Sequence, residues 1–271
     1  MIELSDESAS GYRRATLFGI DIDRVTMREA IEQVNSWLAD SEKSCRYIVT
    51  PNVHHILLLQ HNHAMREAYR HASLVVADGW PLVTVSRLLG HSLPERVTGS
   101  DMVPDLLTTG RHATPLRVFL LGAAPGVGEK AANRIHARCP YTRVVGTYAP
   151  PPGFETDSFE NRDIVRRINE SNSELLIVGF GAPKQEIWLH QHHRELRCRV
   201  AIAAGASIDF LAGRQRRAPR WIQKLRLEWF YRAITNPRRL APRYLRDAML
   251  FAPLLWKEWQ AQRQTYLDRM P

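Results

Sequence analysis

The stretch RVFLLGAAPGVGEKAANRIHARCP, residues 117–140, begins with an apolar run and passes through a glycine-rich turn into a helical pattern. This order is typical of one strand–helix unit in an α/β protein. Further apolar runs, each followed by a helical pattern, lie at 45–52, 74–78 and 174–181, and a last apolar run from residue 200 onward leads into a loop. Because apolar strands alternate with helices, we predict a mainly parallel sheet with helices on both faces, a Rossmann-like α/β fold.

Composition places the chain among ordinary globular proteins. Its 271 residues are 44% hydrophobic and 24% charged, which suits one large domain or one domain with an appendage. These values exclude collagen-like, low-complexity and wholly disordered proteins. The longest strongly apolar run covers residues 249–256, whereas a spanning helix needs about 20 such residues. We therefore expect no transmembrane segment, and the polar N-terminal residues predict no export signal.

The cysteine, histidine and early acidic residues do not indicate a metal or disulfide site. Cys45, Cys139 and Cys198 are widely spaced and form no CxxC pattern, which favours a reducing cytosol. Asp21 and Asp23 match the DxD pattern of metal-dependent sugar transferases. They also continue the alternation of an early strand, so we expect both carboxylates to face outward. The eleven histidines are scattered, and we predict no metal site.

The basic charge is concentrated in the last part of the chain. Residues 211–271 hold 14 Lys/Arg and 4 Asp/Glu, whereas the preceding residues hold 23 and 24. The same segment holds four of the seven tryptophans. Basic and aromatic side chains on amphipathic helices favour an anionic surface, either a membrane face or a nucleic acid. A basic helix packed on the body of the protein is the other alternative.

These differences divide the chain into a flexible tail (1–14), an α/β domain (15–210) and a basic helical appendage (211–271). Within the α/β domain we predict a strand and turn over 16–26 and one helix across 54–72. Prolines divide the appendage, and apolar residues recur every four positions between the first two of them. This pattern predicts one amphipathic helix there, and we expect one or two more over 243–267.

Polar residues follow two of the predicted strands, at the edge of a parallel sheet where ligands bind. Asp78 follows four apolar residues and precedes a glycine. A carboxylate held there can accept a proton from a hydroxyl group, although Asp-Gly is also a common turn. Thr50 and Asn52 end another strand, where they either hydrogen-bond a sugar or form the turn.

Glycine-containing loops follow two later strands. Gly122 and Gly126 join a strand to a helix, where backbone N–H groups can approach a phosphate; an ordinary turn is an equal alternative. The spacing is not GxGxxG, and residues 142–153 contain no acidic residue. Both observations argue against a nicotinamide-dependent dehydrogenase.

The stretch GFGAPKQE, residues 179–186, is the most unusual one in the chain. It predicts that Lys184, Gln185 and Glu186 lie on the first turn of a helix. A cation and an amide at that place suit the diphosphate and hydroxyl groups of a nucleotide-sugar. Ordinary helix capping with a solvated lysine and glutamate is the alternative.

These loops and several later motifs occur in an order that resembles one protein family. The motifs are TPN (50–52), ADG (77–79), PERVTGSD (94–101), GFGAPKQE (179–186), RAP (217–219), LEW (227–229), YR (231–232) and PRRL (237–240). Each is weak alone, but their order and spacing together resemble the WecG/TagA/CpsF glycosyltransferases, glycosyltransferase family 26. The resemblance covers about residues 16–246. Because many members stop near its end, it leaves the role of residues 247–271 open.

The resemblance implies an inverting, metal-independent glycosyltransferase without a cofactor. Such an enzyme moves N-acetylmannosamine, its uronate, glucose or a related hexose from a UDP-sugar to a polyprenyl-diphosphate-linked saccharide. The product serves bacterial surface polysaccharide synthesis. The resemblance also implies a peripheral location on the inner, cytoplasmic face of the cytoplasmic membrane.

The resemblance assigns roles to individual residues. It implies that Asp78 is the catalytic base and that Thr50, Asn52 and Gln185 line the catalytic site. The expected substrate-binding residues lie in the same motifs and loops: Arg96, Gly99, Asp101, Gly122, Gly126, Gly181, Lys184, Glu186, Arg232, Arg239 and Arg243. The last three match arginines of the family's appendage that complete the pocket and contact the lipid diphosphate.

Two other functional classes stay open. The basic, aromatic C-terminal segment suits a nucleic-acid-binding protein, although no helix-turn-helix, zinc-finger or RNA-stacking motif is evident. A membrane-docked scaffold that binds a nucleotide-sugar without turnover is the second alternative. We expect small-molecule and membrane partners and no nucleic acid, and an apolar face on the appendage also allows a homo-oligomer.

Overall fold

A β-hairpin opens the part of the chain that the structure describes. The structure is a computed structural model, and it describes residues 11–41, 44–109, 114–215, 218–219, 222 and 227–267. Strands β1 (Arg14–Leu17) and β2 (Ile20–Asp23) pair antiparallel, where the sequence predicted one strand and a turn. Phe18 and Gly19 have φ angles of 55° and 78°, which allows the tight two-residue turn. Residues 1–10 of the predicted tail lie outside the described residues.

The prediction that both early carboxylates face outward was wrong for Asp23. Its side chain is buried, accepts a hydrogen bond from the Val75 backbone N–H at 2.8 Å and pairs with Arg14 Nε at 3.0 Å. The buried charge is compensated by these two donors. Asp23 therefore fastens the hairpin to the sheet, while Asp21 accepts a hydrogen bond from Thr16.

Six strands form the central sheet, and every neighbouring pair is parallel. They are β3 (Arg46–Val49), β4 (Leu74–Val75), β5 (Leu116–Gly122), β6 (Thr142–Tyr148), β7 (Leu175–Gly179) and β8 (Val200–Ala203). Their order across the sheet is β4-β3-β8-β7-β5-β6. Apolar side chains form one buried layer on each face, because successive residues of a strand point to opposite faces. The predicted α/β class with a parallel sheet is confirmed.

Helices follow most of the strands as predicted, and a short helix also follows β8, where we expected a loop. In the α/β part they are α1 (Met27–Ala39), α2 (Val53–Leu59), α3 (His63–Arg70), α4 (Trp80–Leu88), α5 (Gly99–Thr109), α6 (Val127–Arg138), α7 (Ser158–Glu170), α8 (Lys184–His192) and α9 (Ser207–Leu211). Two more, α10 (Glu228–Thr235) and α11 (Pro237–Leu267), form the C-terminal part. None of the helices in the described ranges is long and apolar enough to cross a membrane.

The prediction of one helix across 54–72 was wrong, since α2 and α3 are separate helices. Asn62 lies between them in extended backbone, and its side chain accepts a hydrogen bond from the Met65 N–H at 2.9 Å. An asparagine in this position caps a new helix. The apolar periodicity runs through the break and conceals it.

Helix α11 runs through two prolines instead of ending at them. Proline removes one backbone hydrogen bond from a helix, and we expected Pro253 to divide this segment. Contacts with the hairpin hold α11 on both sides of Pro253: the Phe251 ring lies 5.3 Å from the Phe18 ring, and Glu258 accepts a hydrogen bond from the Phe18 N–H at 3.3 Å. The helix predicted between residues 219 and 237 lies partly outside the described residues, and α10 is its described end.

The three cysteines are buried and form no disulfide. The sequence did not indicate that Cys45 Sγ and Cys198 Sγ would lie only 3.5 Å apart. Over the described residues, no group of three His, Cys, Asp or Glu side chains is placed to hold a metal ion.

Candidate active site

The sheet order places the turns after β3 and β4 side by side. The Asp78 N–H donates a hydrogen bond to the Pro51 carbonyl at 2.7 Å, which ties the two turns together. Gly79 follows with a φ angle of 137°, a conformation that favours glycine. This geometry holds the half-buried Asp78 at the carboxyl end of the sheet, where the sequence predicted it.

A cavity of about 370 Å³ lies beside these turns, between the α/β part and the two C-terminal helices. Among the predicted site residues, Asn52, Asp78, Arg96 and Arg243 line it. Asn52 also caps α2 by accepting a hydrogen bond from the His55 N–H at 3.2 Å. One wall of the cavity therefore comes from residues 15–210 and the opposite wall from residues 211–271.

Arg96 joins the two walls. Its guanidinium lies 3.0 Å from Asp101 Oδ2 and 3.4 Å from Glu228 Oε2, and all three side chains are largely shielded from solvent. Asp101 also accepts a hydrogen bond from Thr98 Oγ1 at 2.9 Å. The predicted residues Arg96 and Asp101 therefore form an ion pair, and Glu228 extends it across the cavity. Glu228 is a site residue that we did not single out, although the LEW motif contained it.

Other predicted residues support the turns without lining the cavity. Thr50 is buried, and its methyl group lies 3.7 Å from the place where a Cβ on Gly99 would lie. That Cβ would also approach Ala204 Cα at 3.4 Å. These are ordinary van der Waals distances, so α5 begins against the ends of β3 and β8 with room for a small side chain at Gly99.

Gln185 connects two further strand-end loops. Its Oε1 accepts hydrogen bonds from the Gly181 N–H at 3.1 Å and the Gly205 N–H at 3.2 Å, and its Nε2 donates to Glu186 Oε1 at 2.8 Å. The side chain is buried and does not belong to the cavity lining. The loops after β7 and β8 depend on it for their relative position.

Glu186 is fully buried, which excludes the alternative of a solvated carboxylate. Burial raises the pKa of Glu186 to about 7, against the opposing hydrogen bond from Gln185. Its neighbour His55, 3.9 Å away, has its pKa lowered to about 3 by burial. His55 is therefore neutral, and its Nδ1 lies 2.8 Å from the Tyr69 hydroxyl.

The remaining loop residues lie at the other half of the sheet edge. A Cβ on Gly122 would lie 2.8 Å from the backbone of Gly179, so glycine is needed there for close strand packing. Gly126 and Gly181 have φ angles of 77° and 81° with open space around them. Lys184 pairs with Glu155.

The appendage arginines are described to different extents. Arg243 lines the cavity, and its guanidinium lies 5.2 Å from the centre of the Tyr244 ring. Arg232 belongs to α10 and Arg239 to α11, and their side chains lie outside what the structure describes. Arg217 of the RAP motif is also outside the described residues.

A histidine–aspartate pair completes the cavity and was not predicted. His54 Nδ1 lies 3.1 Å from Asp247 Oδ1, and both residues line the cavity. The sequence indicated no role for the scattered histidines and left the role of residues 247–271 open. The two residues are 193 positions apart, so no local pattern could indicate that they meet.

Comparisons with known proteins agree with the resemblance. The sequence model described as Glycosyl transferase WecG/TagA/CpsF family matches residues 15–265, so the match continues beyond the expected end near residue 246. Among curated proteins, the N-acetylglucosaminyldiphosphoundecaprenol N-acetyl-beta-D-mannosaminyltransferase of Staphylococcus aureus strain MRSA252 is 31% identical, covering 86% of this chain and 89% of its own length. The protein of the same name from strain NCTC 8325 / PS 47 is 30% identical with the same coverage. The chain therefore belongs to the WecG/TagA/CpsF family of glycosyltransferases.

Proposed function

We propose that this glycosyltransferase moves N-acetylmannosamine or a related hexose from a UDP-sugar to a polyprenyl-diphosphate-linked saccharide. The Staphylococcus aureus relatives carry N-acetylglucosaminyldiphosphoundecaprenol and N-acetylmannosamine in their names, which makes these the first acceptor and donor to test. The proposal rests on one observation: the Asp78 carboxylate lies on the wall of a cavity that two arginines also line.

In the proposed reaction Asp78 accepts the proton from the acceptor hydroxyl. The hydroxyl oxygen attacks the anomeric carbon on the face opposite UDP, and the bond from that carbon to the diphosphate oxygen breaks. The configuration at the anomeric carbon inverts, and UDP leaves. General-base catalysis of this kind needs the carboxylate within hydrogen-bond reach of the attacking hydroxyl, and the cavity gives a sugar access to Asp78.

Negative charge develops on the leaving diphosphate. We propose that arginine side chains stabilise it without a metal ion, as the resemblance implies. Arg96 and Arg243 support this assignment because both line the cavity from opposite walls. Positioned cations lower a barrier in which charge develops on oxygen.

We propose that the outer surface of the C-terminal helices contacts the inner face of the cytoplasmic membrane. Large apolar side chains are exposed along it: Phe230, Ile234, Leu245, Met249, Leu250, Trp256 and Trp259. Together with the basic excess of residues 211–271, this surface suits an anionic leaflet. Burial of the same surface against a second copy of the chain is the alternative.

A donor screen tests the function. The full-length chain is incubated with a panel of UDP-sugars and a synthetic prenyl-diphosphate-linked N-acetylglucosamine, and released UDP and extended saccharide are measured. Transfer from at least one UDP-hexose is expected. Binding of UDP-sugar without UDP release would favour the scaffold alternative, and binding of DNA but not of anionic liposomes would favour a nucleic-acid-binding protein.

A further inference from the structure

One face of α11 forms the C-terminal wall of the cavity. Arg243, Asp247 and Phe251 all line it, and they follow one another at intervals of four residues, which places them on the same helix face. A guanidinium and a carboxylate one turn apart on such a face are close enough to form an ion pair. Within the described residues, however, no ion pair joins Arg243 to a carboxylate.

The Asp247 carboxylate is held by α2 instead. The side chain of Asp247 is 8% exposed and that of His54 is 29% exposed, with 3.1 Å between His54 Nδ1 and Asp247 Oδ1. A carboxylate only accepts hydrogen bonds, so His54 Nδ1 is the donor. His54 therefore satisfies an acid that is mostly buried and would otherwise need another donor.

Because His54 holds Asp247, the Arg243 guanidinium has no ion pair with a carboxylate of the described residues. Its Nε is buried and has no hydrogen-bond partner in the part of the chain that the structure describes, and its guanidinium lies against the Tyr244 ring. Arg96, the other arginine in the cavity lining, is already paired with both Asp101 and Glu228. Arg243 is thus the cavity arginine whose charge no carboxylate of the described residues neutralises.

We propose that His54 is a positioning residue that holds the Asp247 carboxylate away from Arg243 and so keeps the guanidinium available for a diphosphate group. The inference rests on the proposed function, in which both the UDP-sugar donor and the lipid-linked acceptor carry a diphosphate. Guanidinium groups bind phosphate oxygens through charge-assisted, often bidentate, hydrogen bonds.

Binding of two ligands to the full-length chain tests this role. Dissociation constants of farnesyl diphosphate and of UDP are measured by titration calorimetry for the wild type and for His54→Ala. Loss of the histidine frees Asp247 to pair with Arg243, so we expect at least one ligand to bind about tenfold more weakly, the effect of losing one charge-assisted hydrogen bond. Weaker farnesyl diphosphate binding assigns Arg243 to the acceptor, and weaker UDP binding assigns it to the donor.

Three further variants separate positioning from a merely structural role. In His54→Ala/Asp247→Asn the competing charge is gone, so affinity should return to within about twofold of the wild type. His54→Asn keeps an N–H donor near the position of Nδ1 and should bind as the wild type does. His61→Ala, in the exposed loop after α2, is the matched control.

The outcomes that overturn the inference are equally specific. They are unchanged affinity for both ligands in His54→Ala, a double variant that binds as weakly as His54→Ala, or a wild type that binds neither ligand. A wild type that binds a diphosphate but transfers no sugar in the donor screen contradicts the proposed function and leaves this test valid.

Discussion

The ionisation of the buried Glu186 makes the stability of the fold depend on pH. Burial raises its pKa to about 7 from an ordinary value of 4.5, so the folded protein binds this proton more tightly than the unfolded chain does. Its contribution to stability is fully present below pH 4.5 and is lost as the pH rises through 7. The neutral, protonated carboxyl is the form that the buried position favours.

We therefore predict that Glu186→Gln changes the pH dependence of unfolding. Glutamine keeps an acceptor for the Gln185 amide but cannot ionise. The variant should gain stability relative to the wild type between pH 4.5 and 7.5, on the order of 2–3 kcal/mol. Urea unfolding at several pH values measures this, with the exposed Glu170→Gln as control. Parallel curves for the wild type and Glu186→Gln would contradict the assigned ionisation.

Close packing between β5 and β7 requires a glycine at position 122. A Cβ at this position would lie 2.8 Å from the Gly179 backbone, and the φ angle is 105°. We expect Gly122→Ala to lower the free energy of unfolding by about 2–3 kcal/mol. Gly126→Ala, which has a positive φ but open space around it, should cost only about 1 kcal/mol. Equal losses in denaturant titrations would show that strand packing is not the reason for the glycine.

Most strands and helices could be predicted, because a run of apolar residues indicates a segment that is buried in the core. The run at 117–122 became β5, and the runs at 45–52 and 174–181 contain β3 and β7. The separation of α2 from α3 was missed because it depends on one capping asparagine. The continuity of α11 through Pro253 was missed because it depends on contacts with the distant hairpin.

In the candidate site, too, residues placed by the sheet could be predicted, whereas residues placed by distant contacts could not. Asp78 and Asn52 could be placed because a parallel sheet brings its strand ends to one edge. The resemblance placed Arg243 of the appendage at the pocket, whereas Glu228 and Asp247 were not predicted there, since they reach the cavity only through tertiary packing. For that reason the described site divides into a cavity group around Asp78 and a loop group around Gln185.

Removal of the C-terminal helices should abolish transfer. A chain that ends at Gly213 lacks Glu228, Arg243 and Asp247, and with them one wall of the cavity. We predict a more soluble protein with nearly no transfer to a lipid-linked acceptor. Removal of residues 268–271 alone, which follow the last described residue, is the control. Full activity of the Gly213 truncation would show that this wall is dispensable.

The two faces of the C-terminal helices have different proposed roles in the whole protein. The inner face closes the cavity, and the outer face presents Trp256 and Trp259, which stack at 5.0 Å. Interfacial tryptophan and basic residues stabilise binding to anionic membranes, by about 1 kcal/mol for each Lys or Arg near the surface.

We predict salt-sensitive binding to vesicles that contain an anionic lipid. Sedimentation with phosphatidylglycerol vesicles should fall as salt is raised, because counterions screen the basic side chains. Trp256→Ser/Trp259→Ser should reduce binding at every salt concentration, while the exposed Leu88→Ser in the α/β part should not. A dimer in solution, together with no vesicle binding, would favour the second copy as the partner of this surface.

In the proposed reaction, the Asp78 carboxylate, which lies at a strand end and is enclosed by the C-terminal helices, removes the proton from the acceptor sugar. The most direct test of this step is the turnover number of Asp78→Asn for transfer from the best UDP-sugar of the screen to prenyl-diphosphate-linked N-acetylglucosamine. We predict a fall of about 10²–10⁴-fold with UDP-sugar affinity and thermal unfolding close to those of the wild type. Turnover near the wild-type value in a folded Asp78→Asn protein would contradict the account.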